Sequence, residues 1–139
     1  FPETIIAWEA QIDGEVMYQS ADVISLSITT YMNTGGAHGH LNVSFLNFNA
    51  QTGKMLKNED LFEDYLAFTK IAKTYFDEEI ADKKDLYFEP DNFTLPENIG
   101  FNEEGVILLY NTYEIAPYSS GMTEIQIPWE ELQTSLNYL

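Results

Sequence analysis

The 139-residue chain contains no cysteine. Disulfide bridges, zinc sites built on thiolates and cysteine nucleophiles are therefore excluded. The chain also has no apolar run near the roughly 20 residues that a membrane-spanning helix requires, so we expect no integral membrane segment. No signal peptide is visible, and the chain begins with Phe1 rather than Met. We expect a fragment or mature form of a longer precursor, with an export signal or lipid anchor removed.

Positive charge is missing from most of the chain. All six lysines lie between Lys54 and Lys84, whereas residues 1–53 carry five carboxylates and residues 85–139 carry ten, without any Lys or Arg. These two flanking stretches supply −15 of the net charge of −17. Nucleic-acid binding is excluded, because it depends on Lys and Arg neutralising phosphates. Such a surface attracts basic proteins and opposes self-association, so we expect a monomer.

The apolar pattern predicts one α+β domain over residues 1–139. Period-2 alternation indicates strands, i, i+3, i+4 spacing indicates a helix, and a continuous apolar run indicates a strand buried on both faces. The order β-β-β-α-β-β-α predicts a twisted antiparallel sheet of about five strands packed on one long helix, with a short C-terminal helix. These segments are strands over 6–18, 24–28, 41–48, 106–115 and 122–127, a helix from near Leu61 to Ile80, and a C-terminal helix with Trp129, Leu132 and Leu136.

Local irregularities are predicted at two points of this sheet. Gly14 indicates a bulge or bend in the first strand, and an apparent switch of the inward-facing residues indicates another near Phe45. The polar stretch over residues 82–102, with Pro90 and Pro96, is expected to be mostly loop. Asn58 or Asp60 is the expected cap of the long helix.

A glycine-rich turn over residues 33–39 carries His38, and His40 follows it directly. Two histidines at i and i+2 could hold a metal together with a carboxylate, and the glycines could form an anion-binding nest. The segment lacks the lysine and the following helix of a phosphate loop. We interpret it as a wide turn that joins two strands, and we expect no metal and no cofactor.

Glu114 is the most informative carboxylate, because its neighbours are apolar or aromatic. Partial burial would raise its pKa and suit acid–base chemistry. Alternatively its carboxylate accepts backbone N–H bonds from the glycine-rich turn or from the Ser119–Ser120 loop, and we favour this interpretation. Among the aromatic residues, Tyr118 is the one expected to be exposed. With 23 acids some pair always has glycosidase spacing, so no catalytic residue is assigned.

Several motifs together resemble one known family. They run over residues 31–39, 48–54, 60–62, 113–121 and 127–129, and read YMNTGGAHG, FNAQTGK, DLF, YEIAPYSSG and IPW. They are similar to an uncharacterised extracytoplasmic domain shared by the C-terminal part of the lysozyme-sensing anti-sigma factor RsiV and the accessory domain of the peptidoglycan deacetylase PdaC. The resemblance implies a secreted, cell-surface, periplasmic or lipid-anchored bacterial domain. The catalytic domain of PdaC and the membrane helix of the sensor have no counterpart here.

The sequence therefore predicts a non-catalytic acidic binding module whose partner is a cationic, lysozyme-like protein or a cell-wall glycan. Two alternatives stay open: an enzyme domain that acts on peptidoglycan or polysaccharide, and a structural domain stabilised by bound cations. A contact between His38 and Glu114 is a further hypothesis. The candidate binding residues are Gly35, Gly36, His38, Glu114 and Tyr118.

Overall fold

A computed structural model describes residues 8–33 and 39–133. The predicted site residues Gly35, Gly36 and His38 lie outside the described residues, as does Leu136 of the predicted C-terminal helix. The described part of the predicted C-terminal helix forms a 3₁₀ turn over Trp129–Glu131.

The described part of the chain forms seven β-strands and one α-helix, so the α+β class is confirmed. Short 3₁₀ turns cover Asn58–Leu61, Lys84–Leu86 and Tyr118–Ser120. The regular elements are β1 (Glu9–Gln19), β2 (Val23–Asn33), β3 (His40–Asn49), β4 (Met55–Leu56), α1 (Tyr65–Ile80), β5 (Asn98–Asn102), β6 (Gly105–Tyr110) and β7 (Thr123–Pro128).

The strands form two antiparallel sheets, where the sequence predicts one sheet of about five strands. The first has the order β1-β2-β3-β4 and the second has the order β5-β6-β7. β4 and β5 are not predicted. β5 lies in the stretch expected to be loop, because it is short, polar at both ends and follows Pro96 closely.

The helix α1 begins at Tyr65, four residues later than the apolar spacing indicates. Asp64 is its N-cap and accepts a hydrogen bond from the Ala67 N–H at 3.0 Å. Asp60, one of the predicted caps, instead accepts from the Lys57 N–H at 2.9 Å and closes the preceding 3₁₀ turn. The buried face of α1 consists of Phe68, Ala72, Phe76 and Ile80, which recur every four residues.

The two sheets meet through side-chain amides. Asn98 Oδ1 accepts from the Phe45 N–H at 2.9 Å, and Asn98 Nδ2 donates to the Val43 carbonyl at 3.1 Å. Asn111 also bonds to both backbone groups of Val43, at 2.9 and 2.8 Å. Amides therefore occupy the place beside β3 that a neighbouring strand would take.

Close approach of the sheets also depends on Gly100 in β5. A Cβ at this position would lie 2.7 Å from Met17 Cε and 3.2 Å from the ring of Phe45. The main core lies between α1, the second sheet and the adjoining end of the first sheet. No helix in the described part of the chain is long and apolar enough to cross a membrane.

Candidate functional site

The candidate site is built on the loop that follows β6, residues 111–121, here called the Glu114 loop. Asn111 anchors it to β3 through the two bonds to Val43. The Asn111 N–H donates to Glu114 Oε1 at 2.8 Å, and the Glu114 N–H donates to the Asn111 carbonyl at 3.0 Å. These reciprocal bonds close a turn in which Tyr113 has a φ of 73°, a left-handed conformation that is uncommon for an aromatic residue.

A pocket of about 120 Å³ lies beside this loop. The Phe88 N–H donates to the Ile115 carbonyl at 3.0 Å, which ties the loop to the segment that follows α1. The volume admits several waters or the end of one ligand side chain. The lining residues are Phe76, Tyr87, Phe88, Glu89, Asn92, Thr94, Glu114 and Ile115.

The carboxyl group of Glu114 experiences opposing influences. Partial burial raises its pKa, and the negative charge of Glu97 acts in the same direction. The backbone N–H groups of Asn111 and Glu97 lower it, because they favour the charged form, but the net pKa remains above its ordinary value. Glu114 does accept a backbone N–H bond, but the donor is Asn111 and not the expected Ser119–Ser120 loop, while most of the glycine-rich turn lies outside the described residues.

Next to Glu114, Tyr110 stays protonated at neutral pH. Burial raises the pKa of its hydroxyl, and the charge of Glu114 raises it further. The hydroxyl donates to the Thr94 carbonyl at 2.5 Å. Tyr110 is therefore a structural member of the site rather than a proton donor in solution.

The Glu114 loop carries two exposed aromatic rings that contact each other. Tyr113 is 62% exposed and Tyr118 is 41% exposed, with ring centroids 5.5 Å apart. Phe88, which lines the pocket, is 56% exposed. Tyr118 was expected at the surface, whereas Tyr113 was expected in the core. The alternation of apolar and polar residues does not reveal the exposure of Tyr113, because its side chain points outward as a result of the left-handed backbone conformation.

Two of the five predicted site residues, Glu114 and Tyr118, lie in this one loop. The predicted contact between His38 and Glu114 stays a prediction, since His38 lies outside the described residues. His40 is exposed at the start of β3, opposite Met32. Among the described residues, no group of three or more His, Cys, Asp or Glu side chains could hold a metal ion.

A second acidic region gathers around Trp129 and was not predicted. The indole N–H of Trp129 donates to the Glu103 carbonyl at 3.0 Å, and its backbone N–H donates to the Glu104 carbonyl at 3.2 Å. The β5–β6 turn is thereby held against the acidic segment that follows β7. Burial raises the pKa of Tyr75, and the charges of Glu131, Glu78 and Glu130 raise it further. We call Glu78, Glu103, Glu104, Glu130 and Glu131 the Trp129 cluster.

Comparison with known families gives two matches along the chain. The family described as "Protein of unknown function (DUF3298)" matches residues 46–130. The family described as "Deacetylase PdaC" matches residues 2–40. The boundary falls within the first sheet, so β1 and β2 belong to one match and only the end of β3, residues 46–49, to the other. A search of curated proteins found no match.

Two solved structures with a similar fold are also DUF3298 family proteins. A DUF3298 family protein from Pseudomonas aeruginosa PAO1 is 25% identical, with a TM-score of 0.76 over 94% of this chain and 62% of that one. A DUF3298 family member from Bacteroides fragilis NCTC 9343 is 27% identical, with a TM-score of 0.74 over 94% of this chain and 55% of that one. The chain thus spans less than two thirds of the length of each of these relatives.

Proposed function

The chain belongs to the DUF3298 family, and from this premise we propose that it is a non-catalytic, acidic binding module of a secreted or surface-attached bacterial protein. Its partner is a cationic protein. The match of its first strands to the PdaC family, whose name refers to a deacetylase, supports a place at the cell envelope. The precursor then carries an export signal or a lipid anchor.

The observation that carries the proposal is the separation of charge. The ion pairs among the described residues join Lys73 to Asp77, Lys83 to Glu79 and Lys84 to Asp91. All three lie on α1 or just after it, and among these pairs only that of Lys84 with Asp91 involves an acid of the flanking stretches. Asp91 is the one acid of residues 85–139 that has such a partner in the described part of the chain. The remaining carboxylates leave a broad negative field, which accelerates encounter with a basic partner.

The Glu114 loop offers such a partner a specific contact. A Lys or Arg side chain that enters the pocket meets the carboxylates of Glu89 and Glu114 and the rim formed by Phe88. Exposed aromatic faces attract cations, by about 0.5–1 kcal/mol at sites open to water. The Trp129 cluster extends the acidic surface elsewhere on the molecule and contributes to the long-range attraction.

A catalytic role has less support. The carboxylate of Glu114 is engaged by backbone N–H groups that stabilise the loop. The bond to the Asn111 N–H already gives this carboxylate a structural task in closing the turn.

The binding test uses hen egg-white lysozyme as a basic probe and acetylated lysozyme as a probe of the same shape with its lysine charges removed. We expect affinity for the basic form to fall at least tenfold as the Debye length shortens from about 10 Å at 0.1 M salt to about 3 Å at 1 M. Glu114→Gln and Tyr118→Ala should weaken binding. Glu103→Gln is the matched control, because it removes one exposed carboxylate from the β5–β6 turn, at the opposite end of β6 from the loop. Binding to neither probe, or equal binding to both, would contradict the proposal.

A cell-wall glycan is the second candidate ligand, and the pair formed by Tyr113 and Tyr118 favours it. Exposed tyrosine rings supply apolar faces on which sugar rings pack, and Asn92 and Thr94 add polar groups in the adjoining pocket. Soluble peptidoglycan fragments provide the test. Binding that is insensitive to salt and lost in Tyr118→Ala would favour the glycan over the cationic protein.

A further inference from the structure

The outer edge of β1 is an unpaired strand edge. β1 is the first strand in the order β1-β2-β3-β4, and no strand of the described residues lies on its other side. It is eleven residues long and contains neither proline nor lysine, two residue types that commonly protect such edges. All eight residues from Glu9 to Val16 are exposed. The backbone groups along this edge are therefore available to an added strand.

The two faces of β1 differ in chemistry. One face carries Ile12 and Val16, which are 72% and 55% exposed. The opposite face carries three acids and one amide, namely Glu9, Gln11, Asp13 and Glu15. An added strand therefore meets an apolar surface on one side and a negative surface on the other.

The apolar side continues inward onto β2. Ile28 lies opposite Gly14, and a Cβ at Gly14 would be 3.4 Å from Ile28 Cδ1. Because glycine has no side chain, Ile28 reaches over it and extends the apolar surface towards the edge between Ile12 and Val16. None of these three isoleucine and valine side chains belongs to the core formed by the described residues.

The acidic side has no local compensation. No ion pair among the described residues involves Glu9, Asp13 or Glu15. The nearest lysine along the sheet is Lys54, whose carbonyl accepts from the Asn49 N–H. Asn49 pairs with Val23, which is at the opposite end of β2 from Asn33. At about 3.3 Å per residue, that end is on the order of 30 Å from Glu9 and about 13 Å along the strands from Glu15, beyond the reach of an ion pair in either case.

From these features we propose that the outer edge of β1 binds an extended segment of a partner protein in which Lys or Arg alternates with apolar residues. The segment adds a fifth strand to the first sheet. Its apolar side chains pack beside Ile12 and Val16, and its basic side chains lie beside the acids of the other face. A second copy of this chain fits poorly, because pairing β1 with itself would bring like charges together. This surface is separate from the Glu114 loop, and the proposal does not depend on the proposed function.

The probe is a capped peptide of about nine residues, a common strand length, in which Lys and Val alternate. One control peptide has the same composition with its lysines and valines in separate blocks, and another alternates Glu and Val. Fluorescence anisotropy measures binding, and amide hydrogen exchange followed by NMR reports where it occurs. We expect the alternating Lys peptide alone to bind, and we expect alternate amides of Glu9–Gln19 to exchange at least about tenfold more slowly in the complex.

Two variants separate this edge from the rest of the acidic surface. The triple variant E9Q/D13N/E15Q should weaken peptide binding about tenfold, from three lost cross-strand charge pairs. The matched control E103Q/E104Q/E130Q removes the same charge from the Trp129 cluster and should leave most of the affinity. Ile12→Lys, at a largely exposed position, should also weaken binding without unfolding the domain.

Equal binding of the alternating and block peptides, unprotected β1 amides, or equal losses in the two triple variants would each overturn the proposal. Protection of β1 in the free protein that increases with protein concentration would overturn it in favour of self-association. Failure of Glu114→Gln to affect lysozyme binding would bear on the proposed function alone.

Discussion

The two sheets have the same antiparallel pairing but different surroundings. In the second sheet, Ile99, Val106, Leu108 and Ile127 are fully buried beneath α1 and the first sheet. In the first sheet, β1 is exposed on both faces over most of its length. Stability should therefore be concentrated in the second sheet, while the outer part of the first sheet is available for contacts with other molecules.

The first sheet nevertheless depends on the second at one end. Asn98 and Asn111 satisfy the backbone of β3, and buried Asn47 donates to the Ile99 carbonyl at 2.8 Å. Polar bonds of this kind require a defined distance and direction, so they fix the relative position of the sheets. Burial of apolar side chains, by contrast, is roughly non-directional.

Truncation of a core residue should have the largest effect and tests this contrast directly. Phe101 is fully buried, and its ring lies 5.8 Å from Trp129 and 6.2 Å from Tyr18. We expect Phe101→Ala to lower the free energy of unfolding by about 3–5 kcal/mol. Ile12→Ala, on the exposed face of β1, should change it by no more than about 0.5 kcal/mol. Urea denaturation measures both, and similar losses would show that β1 is as important to stability as the core.

Loss of an inter-sheet amide should have an intermediate effect. Asn98→Ala leaves the Phe45 N–H without its acceptor and removes a donor from the Val43 carbonyl. We expect a loss of about 1–3 kcal/mol, which is the cost of an unsatisfied, partly buried backbone group. Asn42→Ala is the matched control, since Asn42 is exposed on β3. Equal stability of the two variants would mean that water replaces the amide of Asn98.

The amide contacts also explain which parts of the fold could be predicted from sequence. The continuous run over Val106–Tyr110 predicts a central buried strand, and β6 does lie between β5 and β7. The run does not show which strands flank it, because an apolar sequence indicates that a strand is buried but not which strands pair with it. Asparagine is typical of loops, so the sequence gives no sign that Asn98 and Asn111 bond to the backbone of β3. Those hydrogen bonds depend on tertiary contacts.

Local details were predicted with mixed success. The register of β1 with β2 shifts between Val16 and Tyr18 rather than at Gly14, and the register of β2 with β3 is continuous past Phe45, so both predicted bulges are wrong. Gly14 instead makes room for Ile28. In the candidate site, Glu114 was identifiable from its apolar and aromatic neighbours, and Tyr118 from its place in a loop beside Ser119 and Ser120. The pocket was not, since Phe88 and Glu89 come from the segment that follows α1 and are distant from Glu114 in sequence.

The smallest expected effect concerns Glu114, at the junction of the two sheets. Its pKa is raised in the folded state above the ordinary value of 4.5, mainly by burial. The folded protein therefore holds this proton more tightly than the unfolded chain. The stabilisation is fully present below pH 4.5 and is lost as the pH rises through the folded-state pKa. Glu114→Gln removes the titration while keeping an oxygen that can accept from the Asn111 N–H.

We therefore expect the stability of Glu114→Gln, measured relative to the unmodified protein, to increase between pH 4 and pH 7. The change should be smaller than that for Asn98→Ala, because solvent screens a side chain that is partly exposed. Urea denaturation of both proteins across this pH range is the measurement. A relative stability that falls with rising pH would mean that the N–H groups of Asn111 and Glu97 outweigh burial, and that the ionised carboxylate holds the loop together.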